Sequence, residues 1–366
     1  MKTIFSILIV LFIVSCKEDN VKRKAQQKLI IGDWELTTKE FEPKDGTRAY
    51  PLETGYGFYA DGSFENKIGF YNWEKPLKYY GSFSKYKLEN DSLKMYNLYM
   101  KKWGSFSIVK LTVDILVLEG EYYNPVYIKK HYDTMNVPQF QGLIISQSGG
   151  LINSSINNIF IQSDRSIIYD KFEHNDNYGN FEHKWYDAKI SNKEFSRIQT
   201  RFKQANWPKF KSRYGKVSYD AGDTQITIIK DGKIVKSVFM YPNNLPFALT
   251  WTYMPLLHLP DILKSTDITA KARLNMSYVS FIQKSESLSL TSPESYFLSY
   301  SLDNAPSVNK KFVEIYNIDY SNDTINQIAT DGRYFKFYNK NKITKTVDLG
   351  YNFITESKLV NTFQKK

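Results

Sequence analysis

Asp-Gly pairs recur along this chain, at Asp45-Gly46, Asp61-Gly62, Asp231-Gly232 and Asp331-Gly332, among short apolar runs. Such a pair accepts the positive φ angles of tight turns and so joins antiparallel strands. Phe58 and Tyr59 precede the second pair and Phe64 follows it. Val109, Leu111 and Val113 alternate with Lys110 and Thr112, the pattern of a strand with one buried face. Aromatics make up 16% of the chain, with 28 Tyr and 24 Phe, and these residues suit pleated surfaces. The expected fold class is therefore mainly β, with α+β character where helical periodicity interrupts the strands.

The length, 366 residues, allows two or three domains. A composition 42% hydrophobic and 24% charged excludes general disorder. Residues 1–15 read as a signal peptide and 16–28 as a polar tether. A barrel over 29–130 follows, then a connector over 131–155 marked by Gln147-Ser148-Gly149-Gly150. Residues 156–264 read as an α+β domain. In it, Ser191 and Glu194 fit a capping box, and Phe195, Ile198, Phe202 and Ala205 step along one helix face. Gln225 to Tyr241 form a hairpin, and Leu256 to Leu263 a short helix. Residues 265–366 read as a β-rich C-terminal region. Its expected strands are Ser287 to Leu290, Tyr296 to Leu302 and Phe312 to Tyr316, and its closing helix runs from Thr355 to Phe363.

The first sixteen residues, MKTIFSILIVLFIVSC, place Lys2 before an apolar stretch from Ile4 to Val14. That stretch has signal-peptide length and is too short to span a bilayer as a helix. Ile13-Val14-Ser15-Cys16 resembles the lipobox of bacterial lipoprotein precursors. The resemblance implies a diacylglycerol thioether on Cys16, cleavage after Ser15, and anchoring in a membrane by two or three acyl chains. Lys17-Glu18-Asp19 resembles the surface-export signal of Bacteroidetes lipoproteins, which implies an outer-membrane location facing the medium, with the periplasmic face as the alternative.

Residues 29–130 resemble the lipocalin-like domains of such lipoproteins. The resemblance rests on Gly32-x-Trp34, the hairpin Phe58 to Phe64, and the late strands Leu111 to Glu119 and Tyr122 to Lys129. It implies an antiparallel barrel with Trp34 closing one end. Whether the barrel holds an apolar ligand or is filled by side chains stays open. Tyr214, Asp220 to Asp223 and the segment Pro242 to Pro260 resemble an uncharacterised domain of similar lipoproteins, which imports no activity.

Chemical motifs are sparse. Cys16 is the single cysteine, so no disulfide forms within the chain and no Cys-based metal site exists. The net charge of +11 is spread along the sequence, as AT-rich codon usage would produce, and no nucleic-acid module appears. Glu173-His174 and Glu182-His183 flank a loop and carry metal-ligand types, but their spacing matches a surface hairpin better. His258 sits in an apolar run and reads as structural, and Asp220 to Asp223 reads as a turn. No Gly-x-Ser-x-Gly elbow, phosphate loop or dinucleotide fingerprint is present. Trp73, Tyr79-Tyr80 and Tyr122-Tyr123 could stack on sugars if exposed, though barrel core and rim is the plainer reading. Asp91-Ser92-Leu93, Asp133-Thr134-Met135 and Asp323-Thr324-Ile325 resemble an envelope O-glycosylation pattern.

No catalytic, cofactor or metal residue is therefore expected. The expected function is a non-enzymatic envelope lipoprotein that binds a small apolar ligand or a partner protein at the cell surface. A structural or assembly component of the outer membrane is the alternative, and a hydrolase of envelope polymers ranks third.

Overall fold

The computed structural model describes residues 24–37, 54–72, 78–89, 91–120, 124–148, 157–175, 180–215, 222–241, 245–269, 274, 276, 278–318, 320, 325–340 and 342–365. The chain divides into two compact units, Met1–Asp133 and Thr134–Lys366.

The first unit is a closed antiparallel barrel preceded by a helical turn, α1 (residues 24–30). Its strands are β1 (Gly32–Leu36), β2 (Gly55–Phe58) and β3 (Ser63–Asn66), then, after a small ribbon of β4 (Tyr71–Asn72) and β5 (Lys78–Tyr79), β6 (Phe83–Glu89), β7 (Ser92–Asn97), β8 (Lys102–Leu111), β9 (Ile115–Leu118) and β10 (Val126–Lys130). β1 pairs with both β2 and β10, which closes the ring and removes both sheet edges. Along β6, alternate residues are buried, with Lys85 and Lys87 facing out between Ser84, Tyr86 and Leu88. Gly62, at φ +79°, makes the turn between β2 and β3 that its Asp-Gly pair predicts.

Trp34 is wholly buried, and its indole N–H donates to the Ile30 carbonyl at 2.6 Å. The Lys129 ammonium lies 4.7 Å over the Trp34 ring and donates to the carbonyls of Leu29 and Ile31, at 2.6 and 2.8 Å. Those carbonyls end α1, so the cation caps a helix C-terminus. Tyr56, Phe58, Phe64, Tyr86 and Tyr127 occupy the barrel interior with ring centroids 5.0–6.1 Å apart. Leu93, Leu116 and Leu118 join the same core.

The second unit is built on an eight-stranded sheet. Its strands in sequence are β11 (Gly142–Gln147), β12 (Asn157–Gln162), β13 (Ser166–Asn175), β14 (Asn180–Lys189), β15 (Arg213–Tyr214), β16 (Thr224–Lys230), β17 (Lys233–Met240) and β18 (Ser265–Asp267). Their spatial order is β15-β17-β16-β11-β12-β13-β14-β18. Asp231 and Gly232 both take positive φ and form the two-residue turn between β16 and β17.

Helices α2 (Asn192–Gln204) and α3 (Phe247–Leu257) cover one face of this sheet, packing Ile198, Phe202, Leu249 and Leu256 on Leu143 and Ile145. Ser191 caps α2 as its sequence predicts, accepting the Glu194 N–H at 3.1 Å, while the Glu194 side chain turns to Arg197 instead of completing a box. The other face carries Ile144, Phe160, Ile229 and Ile234. These share a core with helix α4 (Ser292–Asn304) and with a second sheet. That sheet comprises β19 (Ser280–Gln283), β20 (Glu286–Ser289), β21 (Tyr316–Ile318), β22 (Gln327–Thr330), β23 (Tyr334–Asn339), β24 (Lys342–Asp348) and β25 (Gln364–Lys365).

Several local expectations are corrected. The interval 131–155, expected to be a connector, contains β11, which lies inside the large sheet between β12 and β16. An apolar strand buried on both faces lacks the alternation that marks a half-buried one. The strand expected over Tyr296 to Leu302 is the middle of α4. Thr291 caps it, Pro293 stands in its first turn, and the Thr291 N–H donates to the Glu294 carboxylate at 2.8 Å. Thr291-Ser292-Pro293-Glu294 is a helix-start signal, and it outweighs the aromatic content that favours a strand.

The third expected strand of that region, Phe312 to Tyr316, begins only at its last residue, as β21. Residues 24–28 of the expected tether belong to α1. The closing helix is the short α5 (Phe353–Glu356) and not Thr355 to Phe363. Beyond it, the Lys358 N–H bonds to the Ile234 carbonyl and the Val360 N–H to Glu294 Oε1, so backbone donors that a longer helix would use are taken by other elements.

Candidate functional site

The register of the large sheet aligns one residue from each of seven strands. Arg213 pairs with Phe239, Phe239 with Gln225, Gln225 with Ser146, Ser146 with Asn158, Asn158 with Asp170, and Asp170 with Trp185. Directly opposed residues share a face. This row crosses the face that carries α4, and Trp185 stacks on Tyr296 of that helix at 5.6 Å.

The middle of the row is a buried polar network. Ser146, Asn158, Asp170, Gln225 and Ser292 are all buried. Asp170 accepts from the Asn158 backbone N–H at 2.7 Å and from its side-chain amide at 3.0 Å. Asn158 Oδ1 accepts from the Ser146 hydroxyl and, at 3.1 Å, from the Ser292 hydroxyl. Gln225 accepts the Ser292 N–H at 2.9 Å and donates to Asp223 Oδ1 at 2.6 Å. The network therefore satisfies the first N–H of α4 and seats that helix end on the sheet.

At the outer end of the row the surfaces part around a cavity of about 210 Å³, whose walls include Ser148, Arg213, Asp223, Phe239, Tyr278 and Asn361. The Arg213 guanidinium lies 5.2 Å over the Phe239 ring and donates to Asn361 Oδ1. Asn361 in turn donates to the Ser289 carbonyl at 2.7 Å. Asp223 is held by its own N–H, which donates to Ser148 Oγ at 2.9 Å, and by Gln225. Burial pushes the Tyr278 phenol pKa up, and the Asp223 charge adds to it. Among the described residues the lining holds one carboxylate, Asp223.

The barrel unit holds a second polar cluster. Lys67 is buried between two buried carboxylates, Asp33 at 2.6 Å and Glu65 at 3.1 Å. Burial pulls the Lys67 pKa down, but Glu65 and Asp33 overcome this and hold it above the ordinary lysine value. The Tyr59 hydroxyl donates to Glu65 at 3.1 Å. Burial, then the Asp33 carboxylate, push the Tyr132 phenol well above its usual range. Gly57 underlies the cluster: a Cβ there would come within 2.5 Å of Asp33 Oδ1, so only glycine leaves room.

Cys16, Lys17, Glu18 and Asp19 lie outside the described residues. So do Trp73, Tyr122, Tyr123, Asp220 and Thr324. In the β13–β14 hairpin, Glu173 stands opposite Glu182, while His174 and His183 each oppose a phenylalanine. The register thus sets no histidine across from a carboxylate. His258 caps α3 with Nδ1 3.5 Å from Asp261. Tyr79 is buried with its ring 5.1 Å from Tyr71, in the barrel unit's core and rim. Ser92 and Thr134, of the glycosylation-like triplets, are partly buried.

Sequence reasoning reached Ser148 as a loop residue, Asp223 as part of a turn, Gln225 as the start of a hairpin and Leu290 as the end of a strand, none of them as a site. Arg213, Gln225, Phe239 and Asn361 are dispersed over about 150 residues and share no spacing rule. The available signal was a polar residue ending an apolar run, as Ser146 follows Leu143 to Ile145.

Residues 143–260 match the profile of a domain family described as a domain of unknown function, DUF6438. The matched stretch includes the row from Arg213 to Asp170, whereas Tyr278, Ser292 and Asn361 lie beyond it. No curated protein matches the chain.

Proposed function

We propose that this chain is a lipid-anchored envelope protein that binds a small polar solute, without transforming it, in the cavity beside Arg213 and Asp223. The observation that carries this reading is a walled cavity whose charged groups are held in place by other side chains while keeping hydrogen-bonding capacity to spare. Preorganised polar groups of that kind cost little further ordering when a ligand arrives.

Aromatic side chains occupy the barrel interior, which supports a structural role for it and takes support from an apolar ligand there. A purely structural envelope component remains the alternative function, favoured by that filling. Native mass spectrometry of the full chain decides between them: a small molecule retained by the wild type and lost in Arg213→Gln supports solute binding, and an empty protein that carries envelope partners supports the structural role.

The anchor rests on Cys16 and its lipobox-like context, and the cell-surface location on Lys17-Glu18-Asp19. Cys16→Ala is expected to accumulate as an unprocessed precursor that incorporates no labelled palmitate; normal maturation of this variant would end the lipoprotein reading.

A further inference from the structure

The geometry points to a small amino-carboxylate zwitterion, a free amino acid or a molecule of similar size, as the ligand of the Arg213–Asp223 cavity. This rests on the reading of that cavity as a solute site.

Arg213, on β15, and Asp223, just ahead of β16, wall one cavity, yet among the described residues no ion pair joins them. Arg213 has five N–H donors and spends one on Asn361. Its plane is fixed by the Phe239 ring beneath it. Asp223 accepts from Gln225 through Oδ1, and among the described residues Oδ2 takes no hydrogen bond. Two fixed, opposite charges facing a shared space favour a guest that carries both charges in the reverse order. A carboxylate takes the fork of Arg213, and an ammonium takes Asp223. A guest with one charge engages only one of the two groups and so gains one charge-assisted contact instead of two.

Size and lining narrow the class further. Arg213 and Gln225 sit two strands apart, a spacing of about 10 Å between backbones. Phe239 of β17 stands between them in the row, and Arg213 and Asp223 border the same cavity. The volume, about 210 Å³, lies below the usual range for drug-sized ligands. Phe239, Tyr278 and Leu290 add an apolar border that a small aliphatic portion can rest on. The Tyr278 ring is two-thirds exposed, on the solvent side of the site.

The test is isothermal titration of the full chain, purified in detergent, with glycine, alanine, β-alanine and 4-aminobutyrate, a series of growing charge separation. N-acetyl and carboxamide derivatives of each, and glucose and galactose, are titrated alongside. At least one zwitterion is expected to bind, with both blocked derivatives weaker by about tenfold or more. Arg213→Gln and Asp223→Asn are each expected to lower that affinity by a similar factor with an unchanged circular dichroism spectrum. The blocked derivatives carry the test on the wild type if a variant fails to fold. Binding of a sugar or a blocked derivative in preference to every zwitterion overturns the ligand class and leaves the solute site standing. Binding of no compound at millimolar concentration overturns both.

Discussion

Lys67→Met is expected to destabilise the barrel unit by about 3–5 kcal/mol, the usual cost of removing one partner from a buried ion pair. Asp33 and Glu65 would then face each other in a dry site without the ammonium that sits 2.6 and 3.1 Å away. In calorimetry the transition belonging to the barrel should fall by about 10 °C or more, while that of the second unit stays in place. Adding Asp33→Asn and Glu65→Gln should recover much of the loss, since the penalty lies in the stranded charges and not in the shape of the lysine. A single variant that melts with the wild type would show that water or another group already neutralises the carboxylates.

The same cluster sets a pH dependence. Lys67 has its pKa raised on folding, so it binds its proton more tightly in the native state. Its contribution is fully present below the ordinary lysine pKa and is lost as the pH rises through the folded value. Wild-type barrel should thus weaken in strong alkali.

Trp34→Ala should cost the barrel about 3–5 kcal/mol, the range for emptying a fully buried tryptophan site. Three separate losses add up here. The indole leaves a cavity in the barrel core, its N–H no longer reaches Ile30, and Lys129 loses the ring beneath its ammonium. Trp34→Phe keeps much of the volume and removes the N–H, so it should fall between the two in a urea titration. Equal stability of the alanine variant and the wild type would mean that α1 and the barrel end collapse to fill the space.

Much of the architecture was legible because its causes are local. Asp-Gly pairs supply the positive φ that turns need, at Gly62 alone in Asp61-Gly62 and at both residues of Asp231-Gly232, and both pairs sit at strand junctions. Ser191 capped α2, and the three- and four-residue steps of Ile198 and Phe202 became its buried face, because helix periodicity is a property of consecutive residues. Where local signals conflict, the outcome is decided elsewhere. Tyr296 to Leu302 is rich in residues that suit strands, yet a cap at Thr291 and burial between two sheets make it helical.

The sequence by itself determined the turns that reverse strands and the lone Cys16 on which the anchoring proposal rests. Its alternation at Val109, Leu111 and Val113 did not mark a half-buried strand: β8 ends at Leu111, and Val109 and Val113 are exposed. Only the tertiary structure decided the candidate site. Arg213, Phe239, Gln225, Ser146, Asn158 and Asp170 form one row because six strands pair in a particular order and register, and strand order follows from which apolar faces find each other across the chain. Asn361 joins them because Lys358 and Val360 give their N–H groups to Ile234 and Glu294 instead of extending a helix. Those contacts span 66 residues or more, beyond the reach of any periodicity or motif read along the chain.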